Sequence, residues 1–323
     1  MRAIRITEFG GPEVLTLAEV PEPEPGPGQL LVQVDRAGVN YADTHQAENS
    51  YLSRTTLPLI PGGEVVGRTP EGRRVVALLD SGGYAERAVA SEGYAFDVPD
   101  EVDDVTALAM VVQGATAWLL LRRSTHLAPG ESVVVHAAAG GVGSLAVQLA
   151  KAWGAGRVIA TASTEDKRKL AEELGADATV SADAPDMTNA LREANNGRRI
   201  DIALDMTGGR VTDQTLAALA PFGRLAFYGM ASRQQPEPVA LGSLLACSTA
   251  VAGMWLPHAF RVPGLMPEVM ADLFRLVGQG RLRAIPGGEY PLAQARRAHE
   301  DLRARRTVGK LVLDPAPASG LAP

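Results

Sequence analysis

A chain of 323 residues is long enough for two globular domains. Its net charge of −6 speaks against nucleic acid as a main partner, and the lone Cys247 excludes a disulfide framework and a thiolate zinc cluster. No charged leader with an apolar core opens the sequence and no apolar run is expected to reach membrane-spanning length, so a cytoplasmic protein without a membrane role is expected.

The first third reads as short strands, at residues 3–6, 30–34, 64–66 and 74–78, punctuated by Gly and Pro. Residues 21–28, Pro at every second place, read as a stiff surface connection. Regular alternation begins near Ser132. Strands are expected around Val133, Val158, Val180, Ile202 and Leu225, with helices starting near Ser144, Thr164, Asp186 and Thr212. That alternation predicts an α/β fold with a parallel, doubly wound sheet. Beyond Trp255 the pattern changes to helices over 267–279 and 292–303 and a closing strand over 308–313. The two ends are therefore expected to form one discontinuous domain, 1–122 and 258–314, around a nucleotide-binding domain at 123–257. Residues 315–323 read as a disordered tail.

The most telling stretch runs from Val133 to Gly143. An apolar strand ends in Ala138, Gly140 and Gly143, a G-x-G-x-x-G fingerprint with alanine in first place, and a helical pattern follows. Gly140 lets the backbone approach a pyrophosphate, and Gly143 lets the helix pack close to the strand. The helix N-terminus offers N–H groups and a positive dipole end to the anion. The next strand ends in Thr161-Ala162-Ser163-Thr164, with no carboxylate to accept from a ribose 2′-hydroxyl. Ser163 and Lys167, with Arg168 beside them, suit a 2′-phosphate instead, so NADPH is expected over NADH. Glu165 and Asp166 are competing partners for those bases.

These features extend into a family resemblance. Residues 1–4 and 9–15, Gly38 to Thr44, Leu57 to Gly62, Gly82-Gly83-Tyr84-Ala85-Glu86, the 136–143 turn, and Tyr290-Pro291-Leu292 with Arg297 to Glu300 carry it. Together they resemble the zinc-independent quinone oxidoreductases of the medium-chain dehydrogenase/reductase superfamily, across residues 1–313. The resemblance implies a Rossmann domain plus a discontinuous, GroES-like, β-rich catalytic domain. Zinc-dependent relatives use Cys where this chain has Asn40, and Gly-His-Glu where it has Gly62-Gly63-Glu64. Zinc needs three protein ligands, so no metal is expected.

The resemblance also implies roles. Asn40 and Thr116 would approach the nicotinamide, and Gly140, Gly141 and Val142 the pyrophosphate. Ser163 and Lys167 would hold the 2′-phosphate, with Arg305 completing that site. Tyr228 and Gly229 would flank the ribose, and Met254 and Trp255 the carboxamide, Trp255 having core packing as its alternative. Relatives pair their nucleotide-domain sheets as homodimers, for which the apolar run 244–253 is the candidate edge. The expected substrate is a small quinone or conjugated carbonyl compound. A quinone reduced by hydride needs hydrogen-bond donors for its anion, and Asn40 and Tyr51 are the catalytic candidates, His45 the third. Tyr51 is a proton donor if the acceptor is an enone or enoyl thioester; otherwise it packs its loop. Asp43 is read as capping the local turn. Reduction of such double bonds and a non-catalytic nucleotide-binding role stay open as alternatives.

Overall fold

A computed structural model describes residues 1–316, so residues 317–323 of the expected tail lie outside the described residues. The chain forms two compact units. One comprises 1–112, 270–278 and the C-terminal segment from Ala284, and the other comprises 113–269 and 279–283. The first division therefore falls ten residues before the expected 122/123 boundary. The cause is a helical stretch, Asp104–Ser124, that the strand-rich reading did not anticipate.

That stretch also corrects an expectation. It is long and apolar enough by composition to cross a membrane, yet 78% of its apolar window is buried inside the protein, as in a core helix. Two π-helical turns, Met110–Gly114 and Leu120–Ser124, interrupt its α-helical parts, and Thr125 closes it by donating its hydroxyl to the Leu120 carbonyl. Such π turns mark functional positions in many helices.

The first unit is built on a seven-stranded sheet. Its path runs Pro286–Pro291, Lys310–Asp314, Gln29–Val39, Glu64–Arg68, Arg74–Leu78 and Ala95–Asp97, with Arg87–Ser91 also paired to Gln29–Val39. Pairing is antiparallel except between the two C-terminal strands. The C-terminal strand therefore lies beside an N-terminal one, as the expectation of a discontinuous domain required. Val32, Val34, Val65, Val75, Ala77, Leu311 and Leu313 face one core, closed by Ala295 and Ala298 of the Ala295–Arg303 helix. Residues 21–28 form neither helix nor strand.

The second unit holds six parallel strands in the order Ala178–Ser181, Arg157–Ala162, Ser132–Val135, Ile200–Asp205, Leu219–Phe227 and Ala250–Gly253. In chain order this is 3-2-1-4-5-6, the doubly wound arrangement of dinucleotide-binding sheets. Thr164 and Asp186 cap the helices that follow, each accepting a backbone N–H three residues on, a contribution of about 1 kcal/mol apiece. One expectation changes. The run 244–253 is not one edge; it is the end of a Leu241–Cys247 helix, a left-handed Ser248, and the edge strand Ala250–Gly253. Leu245 and Val251 of this region are exposed.

Candidate active site

The sequence-predicted residues divide between the two units. Gly140, Gly141, Val142, Ser163, Lys167, Tyr228, Gly229, Met254, Trp255 and Thr116 fall in the second, and Asn40, Tyr51 and Arg305 in the first.

In the second unit the predicted residues other than Thr116 gather at the carboxyl ends of parallel strands. The glycine turn follows Ser132–Val135, Ser163 follows Arg157–Ala162, Tyr228 follows Leu219–Phe227, and Met254 follows Ala250–Gly253. Strand order reverses beside Ser132–Val135, which has Arg157–Ala162 on one side and Ile200–Asp205 on the other. The crevice outside such a reversal is where open α/β sheets take ligands. The Gly141–Ala152 helix begins at N-cap Gly140, which has no side chain to satisfy its first N–H groups. A Cβ on Gly143 would collide with the Ala137 carbonyl and come within 2.7 Å of Ala138 Cα, so only glycine lets this helix start so close to its strand. The turn thus fits a pyrophosphate, with unsatisfied donors, a dipole and no side chain in the way.

Buried His136 braces the turn. Its Nδ1 lies 3.0 Å from the Thr161 hydroxyl and its Nε2 2.9 Å from that of Thr215, tying three elements together. Burial lowers the affinity of this imidazole for a second proton, so the ring is neutral. Gln113, in the first π turn, lays its carboxamide over Gly141, where any Cβ would collide with it.

At the tip of Arg157–Ala162, Glu165 pairs with Lys169 at 2.8 Å. Arg168 turns back to the Ala162 carbonyl at 3.4 Å, so its charge stands at the strand end with Ser163. Tyr228 donates its backbone N–H to Asp205, and burial raises its phenol above the usual range, so it stays protonated. Thr116 is buried in the Ala115–Leu119 helix.

In the first unit, Asn40 precedes the Tyr41–Ala47 helix. Its Nδ2 donates to Glu64 Oε1 at 2.6 Å, and its Oδ1 accepts from Lys310 Nζ at 3.4 Å. Lys310 also pairs directly with Glu64, and both side chains are fully buried. Asp43 does cap the turn, accepting the Asn40 N–H at 2.8 Å, but it does more than that. Tyr84 Oη donates to Asp43 at 3.0 Å and lies 3.0 Å from His299 Nε2, forming a buried carboxylate–phenol–imidazole chain. Tyr84 has one proton, so His299 must donate from Nε2 while Asp43 is ionised. Burial pushes Asp43 up to about 6, and burial with the nearby Arg303 pushes His299 down to about 4.

His45 lies 2.9 Å from the Ser50 hydroxyl, and Tyr51 is half-buried in the irregular segment after it. Arg305 follows the Ala295–Arg303 helix, exposed and with a left-handed backbone (φ 55°). Sequence reasoning had no local signal for the Glu64–Lys310 pair or the Asp43–Tyr84–His299 chain, because their members come from distant parts of the chain.

Comparison with known proteins agrees with this fold. Residues 26–100 match the alcohol dehydrogenase GroES-like domain, and residues 141–275 match the zinc-binding dehydrogenase family. The metal in that second description does not fit the residues here. Gly63 offers no ligand, Glu64 is held by Lys310 and Asn40, and no cluster of three or more His, Cys, Asp or Glu suited to a metal occurs among the described residues. A quinone oxidoreductase from Pseudomonas aeruginosa is 33% identical, covering 97% of this chain and 99% of its own. The quinone oxidoreductase of Thermus thermophilus, solved also in complex with NADPH, is 36% identical with a TM-score of 0.86, covering 97% of this chain and all of the other. The Escherichia coli quinone oxidoreductase, complexed with NADPH, is 29% identical with a TM-score of 0.91, covering 98% of this chain and all of the other.

Proposed function

From its membership of the quinone oxidoreductase family, within the medium-chain dehydrogenase/reductase superfamily, we propose that this chain is an enzyme that reduces a quinone with NADPH. The observation that carries this reading is the bare glycine turn at the reversal of a 3-2-1-4-5-6 sheet, with Ser163 and no carboxylate in residues 161–164 at the next strand tip and Lys167-Arg168 just beyond it. When bound, NADPH supplies the hydride, and the reaction balances as quinone, NADPH and a proton giving hydroquinone and NADP⁺.

This chain's own residues hold and orient. The backbone at Gly140, Gly141 and Val142 holds the pyrophosphate. Ser163 and Lys167, with Arg305, hold the 2′-phosphate. Thr116, Tyr228, Gly229, Met254 and Trp255 border the nicotinamide half. Asn40 donates a hydrogen bond to the acceptor oxygen as it gains negative charge, with Tyr51 as the second donor.

The test is NADPH oxidation with 1,4-benzoquinone, 9,10-phenanthrenequinone, an enone and crotonyl-CoA side by side, and NADH in parallel. Quinone turnover with a clear NADPH preference is expected. Preference for the enone or thioester would move the protein to double-bond reduction and Tyr51 to proton donor. Binding of NADPH with no turnover would support a non-catalytic role.

A homodimer belongs to the same proposal. Support comes from the edge strand Ala250–Gly253 and from Leu241, Leu245 and Val251, which are exposed apolar side chains around it. Sedimentation should give twice the chain mass for the native protein and a monomer for Val251→Lys. A cytoplasmic location is part of this reading, supported by the single cysteine and tested by fractionation.

A further inference from the structure

We propose that Glu64 and Lys310 are positioning residues that act through Asn40, locking its carboxamide in one orientation, oxygen to the ammonium and nitrogen to the carboxylate, so that it meets the acceptor as a fixed group. The inference rests on the functional reading above for the role of Asn40.

Beside the capping box, in which the Asn40 side chain accepts the Asp43 backbone N–H, three contacts close a triangle. Lys310 donates to Glu64 Oε1 and to Asn40 Oδ1, and Asn40 Nδ2 donates to the same Glu64 oxygen. A carboxamide with a cation on its oxygen and a carboxylate on its nitrogen cannot be flipped without placing like against like. The ammonium also draws electron density toward Oδ1, which makes the amide N–H groups stronger donors.

The arrangement is a poor stability device. Burying two charges costs several kcal/mol per ion, and an apolar pair of similar volume is often as stable. Here the cost is raised further, because Glu64 Oε2 is buried with no hydrogen-bond partner among the described residues. The fold also makes room for the pair, since any side chain at Gly38 would collide with the Glu64 carboxylate. Both partners are strand residues, from Glu64–Arg68 and Lys310–Asp314, on either side of the strand that ends at Val39. Asn40 is the next residue, so the pair reaches across that strand to grip its end.

Replacing one partner alone would strand a buried charge, so the informative variant is the neutral pair Glu64→Gln with Lys310→Met. The protein is labelled with ¹⁵N-asparagine, and the Asn40 side-chain signals are assigned by their loss in Asn40→Asp. The native signals should be well separated and slow to exchange, and should collapse toward averaged values in the neutral pair. Quinone-dependent kcat should fall about 10- to 100-fold with NADPH affinity unchanged, as expected for a misplaced donor. In an Asn40→Ala background the same replacement should change kcat by no more than about 2-fold, because the effect passes through Asn40. Lys310→Arg, which keeps a cation, should preserve the ordered signals.

Unaltered Asn40 signals in the neutral pair, or losses that add to those of Asn40→Ala, would overturn the proposal. If native protein failed to oxidise NADPH with any quinone, the functional reading would fall, while the Asn40 signals would still decide the geometry. Should the neutral pair fail to fold, averaged Asn40 signals in native protein or in Lys310→Arg would count against the lock.

Discussion

The two units present their candidate residues in opposite materials. The second unit offers backbone, a turn kept bare by glycines and a helix end whose cap has no side chain. The first unit uses side chains, a buried network of Asn40, Glu64, Lys310, Asp43, Tyr84 and His299 with charges and phenol paired internally. An anion of fixed shape is well served by backbone dipoles, which need no orienting. An acceptor that changes charge during reaction is better served by a donor held rigid before the charge appears.

Substitutions should break the halves in different ways. The largest effect is expected for Lys310→Met. It leaves Glu64 buried and unpaired, a loss of about 3–5 kcal/mol in unfolding free energy; denaturant titration measures it, and Glu64→Gln in the same chain should restore most of it. Gly143→Ala comes next. Its Cβ meets backbone, not a flexible side chain, so the helix must shift. NADPH affinity should drop about 100-fold by fluorescence titration, with the first unit's hydrogen exchange unchanged. Lys167→Ala is the mildest, weakening NADPH about 10-fold and NADH hardly at all, as removal of one phosphate contact should. Equal losses for both cofactors would remove Lys167 from the 2′-phosphate site.

The same contrast explains what could be read in advance. Residues 133–143 carry strand, turn and helix start within eleven positions, so the nucleotide half was legible from local order, as were Thr164 and Asp186 as helix starts. The polar network was not. Lys310 and Glu64 are 246 residues apart, and His299 and Tyr84 are 215 apart. Each looks locally like an ordinary strand or helix residue, and only the pairing of a C-terminal strand with Gln29–Val39 brings them together. The Asp104–Ser124 helix was missed for a related reason. It is apolar nearly all round because it is buried, so no amphipathic period marks it. Asn40 was named by resemblance, and its partners Glu64 and Lys310 became visible only in three dimensions.

The Asp43–Tyr84–His299 chain has a consequence for how the protein responds to acid. In the unfolded chain between about pH 4 and 6 an aspartate is mostly ionised and a histidine mostly protonated. In the folded unit Asp43 holds its proton up to about 6 and His299 stays neutral down to about 4. Folding in that window therefore hands one proton in and one proton out. Asp43 alone favours the folded state at low pH, an advantage lost as pH rises through about 6. His299 alone favours it at higher pH, an advantage lost as pH falls through about 4. The two slopes oppose each other, so the pair is expected to add little pH dependence to stability across mildly acidic conditions. Asp43→Asn should expose a stability that falls with acid, and His299→Gln one that rises with it, both measurable as denaturation midpoints against pH. Two groups that each look like a liability in isolation would together make this unit a proton-neutral folder.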